Sequence, residues 1–243
     1  MAHALADPGA GSTTGPNQGG RWRDLRLRVI SASLLLPLVL FCLWAGGWPW
    51  AMLVALATCG LAWEWVMLCR RRPGGAPLTK LALGFAYIAP ASAALVWLRA
   101  DPTAGLDDVL FLFVVVWASD VGAYVAGRMF GGPKLAPRVS PGKTWSGAVG
   151  GLACAVLVGM AVSHSGVGGM TLHAALVAAV LGLLAQAGDL LESGLKRHFG
   201  VKDSSRLIPG HGGLLDRLDG VLAAAPAAAA LAMVLGQGVE LWR

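Results

Sequence analysis

Side chains able to bind metals and phosphates are concentrated in one stretch of the sequence, residues 188–220. Its first half carries Asp189, Ser193 and Lys196, separated by four and three residues, so a helix would place all three on one face. Glu192 is an alternative to Ser193 on that face. A carboxylate, a hydroxyl and an ammonium group aligned in this way could hold a metal ion and a phosphate. We expect this helix to continue the sixth apolar block into the aqueous interface.

Two further carboxylates, Asp216 and Asp219, stand three residues apart at the start of the last apolar block and would also share a helical face. If the two acidic helix ends meet at one depth, they supply hard oxygen ligands of the kind that Mg²⁺ prefers. The connection between them contains a glycine-rich turn at residues 209–213, where the backbone could approach a phosphate closely. The cations able to contact phosphate are Lys196, Arg197, Lys202 and Arg217.

Acidic and basic residues alternate in this stretch, and that alternation favours a functional interpretation. A membrane-orientation signal requires basic residues but no acidic ones. Carboxylates, cations and a glycine-rich turn at one membrane face therefore predict metal-assisted chemistry at phosphorus. The alternative is a solvated loop of mutually paired charges.

A second polar segment lies upstream, around Asp120 and residues 140–144. Asp120 is near the end of the fourth apolar block, where a carboxylate is costly unless it is paired or lines a wet cavity. Pairing with Arg128 is the alternative to a functional role. The run Ser-Pro-Gly-Lys at residues 140–143 is typical of a phosphate-binding turn that opens the fifth helix, although it lacks the Walker spacing.

The elements that must position these residues are predicted to be membrane-spanning helices. The chain is 56% hydrophobic and 13% charged, which is too apolar for an ordinary soluble domain. We expect an all-α, polytopic transmembrane helical bundle with about seven spans. These lie at about 29–45, 49–69, 81–98, 106–126, 145–163, 172–188 and 220–241.

The organisation of the chain follows from the same pattern. Residues 1–20 are rich in small and polar residues and are predicted to be a disordered tail. We expect residues 21–104 to form N-terminal transmembrane helices and residues 105–243 to form a catalytic membrane domain with cytoplasmic loops. The four cysteines lack the spacing of a zinc site and are interpreted as buried apolar residues.

The basic residues predict the orientation of the bundle. Of 19 Lys and Arg residues, 17 fall in alternate connections, which leaves only Arg99 and Arg243 on the opposite side. This bias predicts a cytoplasmic N-terminus, an outward C-terminus and a site facing the cytoplasm. It also explains the net charge of +6 without nucleic acid as a partner.

The run from Ser193 to Asp219 resembles the signature of the phosphatidate cytidylyltransferases, or CDP-diacylglycerol synthases, at all of its 27 positions. It reads Ser193-x-x-Lys196-Arg197-x4-Lys202-Asp203, followed by Ile208-Pro209-Gly210-His211-Gly212-Gly213-x-x-Asp216-Arg217-x-Asp219. Upstream features at residues 119–120, 134–135, 140–141 and 143–145 are also similar to the family. The resemblance covers roughly residues 105–235. Family members are usually longer in their N-terminal half, so the number of N-terminal helices and a homodimer contact stay open.

The resemblance implies an enzyme that condenses CTP with phosphatidate in the membrane to give CDP-diacylglycerol and pyrophosphate. It implies Asp189 and Asp216 as metal ligands for Mg²⁺, with K⁺ as a candidate second cation. His211 is assigned to loop shaping or phosphate contact ahead of a role as base. The catalytic candidates are Ser193, Lys196, Arg197, Lys202, Asp203, His211, Arg217 and Asp219. The candidates for substrate or phosphate binding are Asp120, Lys134, Ser140, Lys143, Thr144, Gly212 and Gly213.

Three other functions compete with this one. The first is a CTP-dependent transferase acting on another lipid, such as a polyprenol or an archaeal ether lipid. The second is an ion-coupled transporter, which should show an internal repeat that the sequence lacks. The third is an inactive scaffold, which the intact acidic and basic residues disfavour. The composition, with 14 Arg against 5 Lys, hints at a GC-rich bacterial genome and hence at a bacterial inner membrane.

Overall fold

The computed structural model describes residues 18–71, 78–165, 172–201, 203–205, 207–208, 210 and 212–243, with side chains from residue 26 onward. Within these ranges seven helices are long and apolar enough to cross a membrane. The chain is therefore an integral membrane protein, and the predicted all-α bundle of about seven spans is confirmed. The helices are α1 (Gln18–Ala45), α2 (Gly47–Arg70), α3 (Leu78–Ala100), α4 (Gly105–Phe130), α5 (Trp145–Ser165), α6 (Leu172–His198) and α7 (Leu215–Leu235).

The helix boundaries differ from the predicted spans at both ends of the chain. Helix α1 begins at Gln18, inside the segment predicted to be disordered, and residues 1–17 lie outside the described part. The last span, predicted over 220–241, ends at Leu235 because Gly236 takes a φ of 94°, which a helix does not continue through. The residues after it turn back, and the Leu241 amide donates a hydrogen bond to Asp108 of α4 at 2.8 Å.

A short β hairpin interrupts the helical pattern between α4 and α5. Strand β1 (Lys134–Ala136) pairs antiparallel with strand β2 (Ser140–Thr144). Residues 140–143, predicted to form a turn, therefore belong to a strand, and the predicted turn is wrong. Their role in binding phosphate stays a prediction. A Ser-Pro-Gly sequence is typical of turns, and the pairing with β1 depends on residues outside it.

Glycine residues allow the helices around the site to pack closely. A Cβ added at Gly151 of α5 would lie 2.6 Å from the Ser119 carbonyl oxygen of α4, and one at Gly147 would lie 2.8 Å from the Ala123 carbonyl oxygen. At Gly188 of α6 a Cβ would lie 2.6 Å from the Asp219 carbonyl oxygen of α7. Small residues at helix contacts let backbones approach in this way in membrane proteins. Helices α4 to α7 therefore form one tightly packed group.

The N-terminal helices surround this group on one side. Helix α3 packs against α7, α2 packs against α3, and α1 contacts mainly α2. Most side chains described for α1 are apolar and exposed, as expected for a helix that faces lipid. The connection between α6 and α7 reaches α1, because a Cβ at Gly210 would lie 2.8 Å from the Arg28 side chain. The polar residues of the signature are therefore bordered by the N-terminal helices.

Candidate active site

The hairpin brings a lysine to the C-terminal half of α6, on the side of the bundle that the basic residues predict to be cytoplasmic. Lys143, near the end of β2, places its Nζ 2.5 Å from Asp189 Oδ2 of α6. Arg197, in the last turn of α6, donates from Nε to the Val139 carbonyl oxygen at 3.2 Å. Since Val139 lies in the hairpin turn, these two contacts attach the hairpin to α6.

Thr144 has a structural task at the start of α5. Its side chain is buried, and its Oγ1 accepts a hydrogen bond from the Gly147 amide at 3.1 Å. A hydroxyl that accepts from the third residue of a helix caps the helix N-terminus. The Thr144 side chain, which is predicted to bind substrate, therefore also caps helix α5.

A cavity of about 510 Å³ lies between the hairpin and helices α4, α5 and α6. Its polar lining includes Asp120, Arg128, Lys143 and Asp189. Asp120 and Arg128 both face this cavity and form no ion pair with each other in the described part of the chain, so the alternative of a simple Asp120–Arg128 pair is not observed. The cavity therefore collects charges of both signs at the end of the bundle.

Three carboxylates meet beside this cavity, and we call them the acidic trio: Asp189, Glu192 and Asp219. Each offers one oxygen, and the three oxygens lie within 4.8 Å of one another. Glu192 is only 4% exposed, and its Oε1 has no hydrogen-bond partner among the described residues. A buried carboxylate oxygen without a partner is costly, and a hard cation would satisfy it. The residues of the acidic trio therefore fit a metal ion.

Lys196 joins the acidic trio to Asp216. Its Nζ lies 2.6 Å from Glu192 Oε2 and 2.7 Å from Asp216 Oδ1. The other oxygen of Asp216, Oδ2, accepts from the amides of Ser204 and Gly213, each at 3.1 Å. Asp216 thus stands next to the acidic trio with both oxygens occupied, while Glu192 and Asp219 lie beside Asp189. The pair Asp189 and Asp216 stays a prediction as the metal-ligand set.

The remaining predicted residues are distributed around this centre. Ser193 Oγ donates to Asp189 Oδ1 at 3.4 Å, as expected for residues on one helical face. Asp203 lines a different cavity of about 830 Å³ with Arg70 and Arg71. Gly212 forms a bridge with Ile208, and its N–H donates to the Ile208 carbonyl oxygen at 3.1 Å.

The hairpin and α7 hold three more of the predicted residues. In the hairpin, Lys134 pairs with Thr144 and Ser140 pairs with Ala136. Arg217 lies in the first turn of α7. Lys202 and His211 lie outside the described residues.

The sequence interpretation missed Glu64 and gave Glu192 no metal role. Glu64 is fully buried in α2, where its carboxylate accepts from the Leu214 and Leu215 amides at 2.8 Å each. A single acidic residue inside the second apolar block was the available signal. For Glu192 the signal was its position one turn before Lys196, on the helical face predicted to carry Asp189 and Lys196.

The chain is similar to known cytidylyltransferases over much of its length. Residues 76–235 match the sequence model described as the cytidylyltransferase family. The chain is 51% identical over 146 residues to the phosphatidate cytidylyltransferase of Brucella suis biovar 1, covering 59% of this chain and 53% of that protein. It is 44% identical over 160 residues to the phosphatidate cytidylyltransferase of Haemophilus influenzae, covering 62% and 56%. For the protein of that name from Staphylococcus aureus, identity is 48% over 123 residues, covering 50% and 47%.

The chain spans about half the length of the curated relatives it matches. The part that matches the family model contains the hairpin, the acidic trio, Lys196 and Asp216. The resemblance read from residues 193–219 is confirmed, and the chain belongs to the cytidylyltransferase family.

Proposed function

We propose that the chain is a phosphatidate cytidylyltransferase, which joins CTP and phosphatidate to give CDP-diacylglycerol and pyrophosphate. The observation that carries the proposal is the acidic trio, which is flanked by Lys143 and Lys196 and lies beside a cavity in a membrane bundle. Such an arrangement suits a reaction between two phosphate-bearing substrates of which one is a lipid. The names of the relatives support the same substrates.

The cofactor that we propose for the acidic trio is Mg²⁺, which has a preference for carboxylate oxygens. When bound there it would supply positive charge against the triphosphate. A second cation such as K⁺ stays a prediction. The acidic residues would hold the ion, while the cations of the site would contact phosphate oxygens directly.

The side chains of the chain would act mainly by positioning and by neutralising charge. The phosphate oxygen of phosphatidate is already anionic when it attacks the α-phosphorus of CTP, so the reaction needs no strong general base. Lys143 and Arg128 line the cavity and could orient phosphate groups there. Lys196 is held between Glu192 and Asp216, so its ammonium group has a defined place. Breaking the bond to the leaving pyrophosphate requires that negative charge be stabilised, which these cations provide.

We also propose that the protein lies in a bacterial inner membrane with this end of the bundle in the cytoplasm. The distribution of basic residues supports this orientation. The arrangement would give the site access to cytoplasmic CTP and to a lipid phosphate at the membrane surface.

The deciding experiment incubates the detergent-solubilised full chain with radiolabelled CTP, Mg²⁺ and phosphatidate. We expect a labelled CDP-lipid that is absent without Mg²⁺. A parallel reaction with a polyprenyl phosphate separates the proposed substrate from another lipid acceptor. Absence of a labelled lipid from phosphatidate, with an active cytidylyltransferase as control, would refute the proposal.

A further inference from the structure

Helix α2 contains a buried carboxylate, Glu64, that lies before the family-matching residues 76–235. Its side chain is fully buried, six residues before the end of the helix. An ionisable group inside a spanning helix is expensive unless its oxygens find partners. The partners of Glu64 all belong to the connection between α6 and α7 and to the start of α7.

Each carboxylate oxygen of Glu64 lies within hydrogen-bond distance of two donors. Oε1 accepts from Ser205 Oγ at 2.5 Å and from the Leu214 amide at 2.8 Å. Oε2 accepts from Ser204 Oγ at 3.1 Å and from the Leu215 amide at 2.8 Å. The first amides of a helix have no partner within it, and they favour a negative charge. Glu64 therefore caps α7 from a different helix.

The surface of α2 around Glu64 is shaped to receive this connection. Gly60 lies one turn earlier on the same face. A Cβ at Gly60 would lie 3.1 Å from the Leu214 side chain and 3.4 Å from the Leu207 side chain. The absence of a side chain at Gly60 lets the connection lie close to α2, next to the Glu64 carboxylate.

A short series of hydrogen bonds connects Glu64 to the ammonium group of Lys196. Ser204 Oγ lies 3.1 Å from Glu64 Oε2 and 3.1 Å from Asp216 Oδ2, so its single proton can be donated to either carboxylate. The Ser204 amide also donates to Asp216 Oδ2. Asp216 Oδ1 in turn holds the Lys196 ammonium group at 2.7 Å.

We propose that Glu64 is a positioning residue of the active site. It holds Ser204 and the first turn of α7, and these hold Asp216, which places Lys196. The inference rests on the proposed function for its effect on catalysis, but the contacts themselves can be tested without it. It also implies that the functional unit includes α2, which the family match does not reach.

The contacts are tested by hydrogen exchange on the full chain, comparing the wild type with Glu64→Gln. An amide side chain has one acceptor oxygen, so at least one of the Leu214 and Leu215 amides must lose its partner. We expect faster exchange at residues 204 and 213–215 and no change at residues 238–241. The matched control is Asp108→Asn, because Asp108 is also a buried carboxylate and accepts from the Leu241 amide. The asparagine oxygen can still accept from that one amide, so exchange at residues 204 and 213–215 should stay at the wild-type rate in Asp108→Asn. Unchanged exchange at residues 213–215 in Glu64→Gln would overturn the inference.

The effect on catalysis is tested by steady-state kinetics on the same variants. Displacing a positioned group by a fraction of an ångström lowers turnover more than binding, so we expect kcat of Glu64→Gln to fall by about tenfold to a hundredfold. The KM values for CTP and phosphatidate should stay within about twofold, because Lys196 is proposed to stabilise negative charge that develops on the leaving pyrophosphate in the transition state. Adding Ser204→Ala to Glu64→Gln should lower kcat little further, since both act on Asp216. A kcat for Glu64→Gln equal to that of Asp108→Asn would overturn the role.

The two proposals can fail separately. If the wild type makes no CDP-lipid, the proposed function fails, and hydrogen exchange still decides whether Glu64 holds the connection. If the wild type is active and Glu64→Gln retains its kcat, only the positioning role fails.

Discussion

Three carboxylates in close proximity repel one another, and at the acidic trio two lysines offset this repulsion. Lys143 contacts Asp189 and Lys196 contacts Glu192, whereas Asp219 forms no ion pair among the described residues. Among the described residues, the Asp219 carboxylate accepts one hydrogen bond, which the amide of Gly220 donates to Oδ1 at 2.8 Å. Asp219 is therefore the member of the acidic trio that most needs a cation.

We accordingly expect Asp219→Asn to weaken divalent-cation binding by about tenfold or more, since loss of a direct ligand should cost at least what loss of a supporting contact does. The measurement is Mn²⁺ binding to the full chain by electron paramagnetic resonance, which does not depend on turnover. Asp107→Asn serves as the control, because Asp107 is an exposed residue at the opposite end of α4. Equal affinities of wild type and Asp219→Asn would remove Asp219 from the ligand set.

Gly213 is a second single-residue test of the site. A Cβ at this position would overlap Ser204 Oγ and would lie 2.9 Å from Asp216 Oδ2 and 3.1 Å from Glu64 Oε2. We expect Gly213→Ala to displace this group of side chains and to lower kcat by at least about tenfold. The control is Gly194→Ala, whose Cβ would lie 3.7 Å from the nearest atom, in the Val139 side chain. If both variants have the same activity, the packing around Asp216 does not limit catalysis.

At the scale of elements, the close contact of α4 and α5 depends on glycine. A Cβ at Gly150 would overlap Ala126 Cβ of α4. We expect Gly150→Val to destabilise the protein by about 1–3 kcal/mol, since a well-packed contact tolerates added volume poorly. The melting temperature in detergent measures this, with the neighbouring, exposed Val149→Leu as control. A lowered melting temperature in Val149→Leu alone would contradict the assignment of Gly150 to the packed face of α5 and of Val149 to its exposed face.

The sequence predicted the helices well because apolar blocks and helical spacing are local signals. The face shared by Asp189 and Ser193 is one example, since four residues of separation suffice to predict it. The hairpin could not be predicted in the same way, because the residues of β2 form a strand only through pairing with β1. Glu64 lies 140 to 151 residues from its partners, so only the tertiary structure reveals them.

At the scale of the whole molecule, the connections at the two ends of the bundle should lie on opposite sides of the membrane. Residue 71 follows α2 at the end that carries the acidic trio, and Asp107 opens α4 at the other end. We expect Arg71→Cys to react with a membrane-impermeant maleimide only in inverted vesicles, and Asp107→Cys only in right-side-out cells or spheroplasts. The wild type, with its four native cysteines, measures the background. Reaction of both variants from one side would refute the seven-crossing topology.

The backbone contact between α4 and α5 also bears on motion during turnover. These two helices form one wall of the cavity, and helices packed backbone to backbone cannot slide past each other without separating. This wall should therefore keep its shape while substrates enter and pyrophosphate leaves. The hairpin, in contrast, is attached to α6 in the described part of the chain by an ion pair and by a hydrogen bond from Arg197. We therefore expect the hairpin to move more than this wall, and the rate of product release to depend on those two contacts.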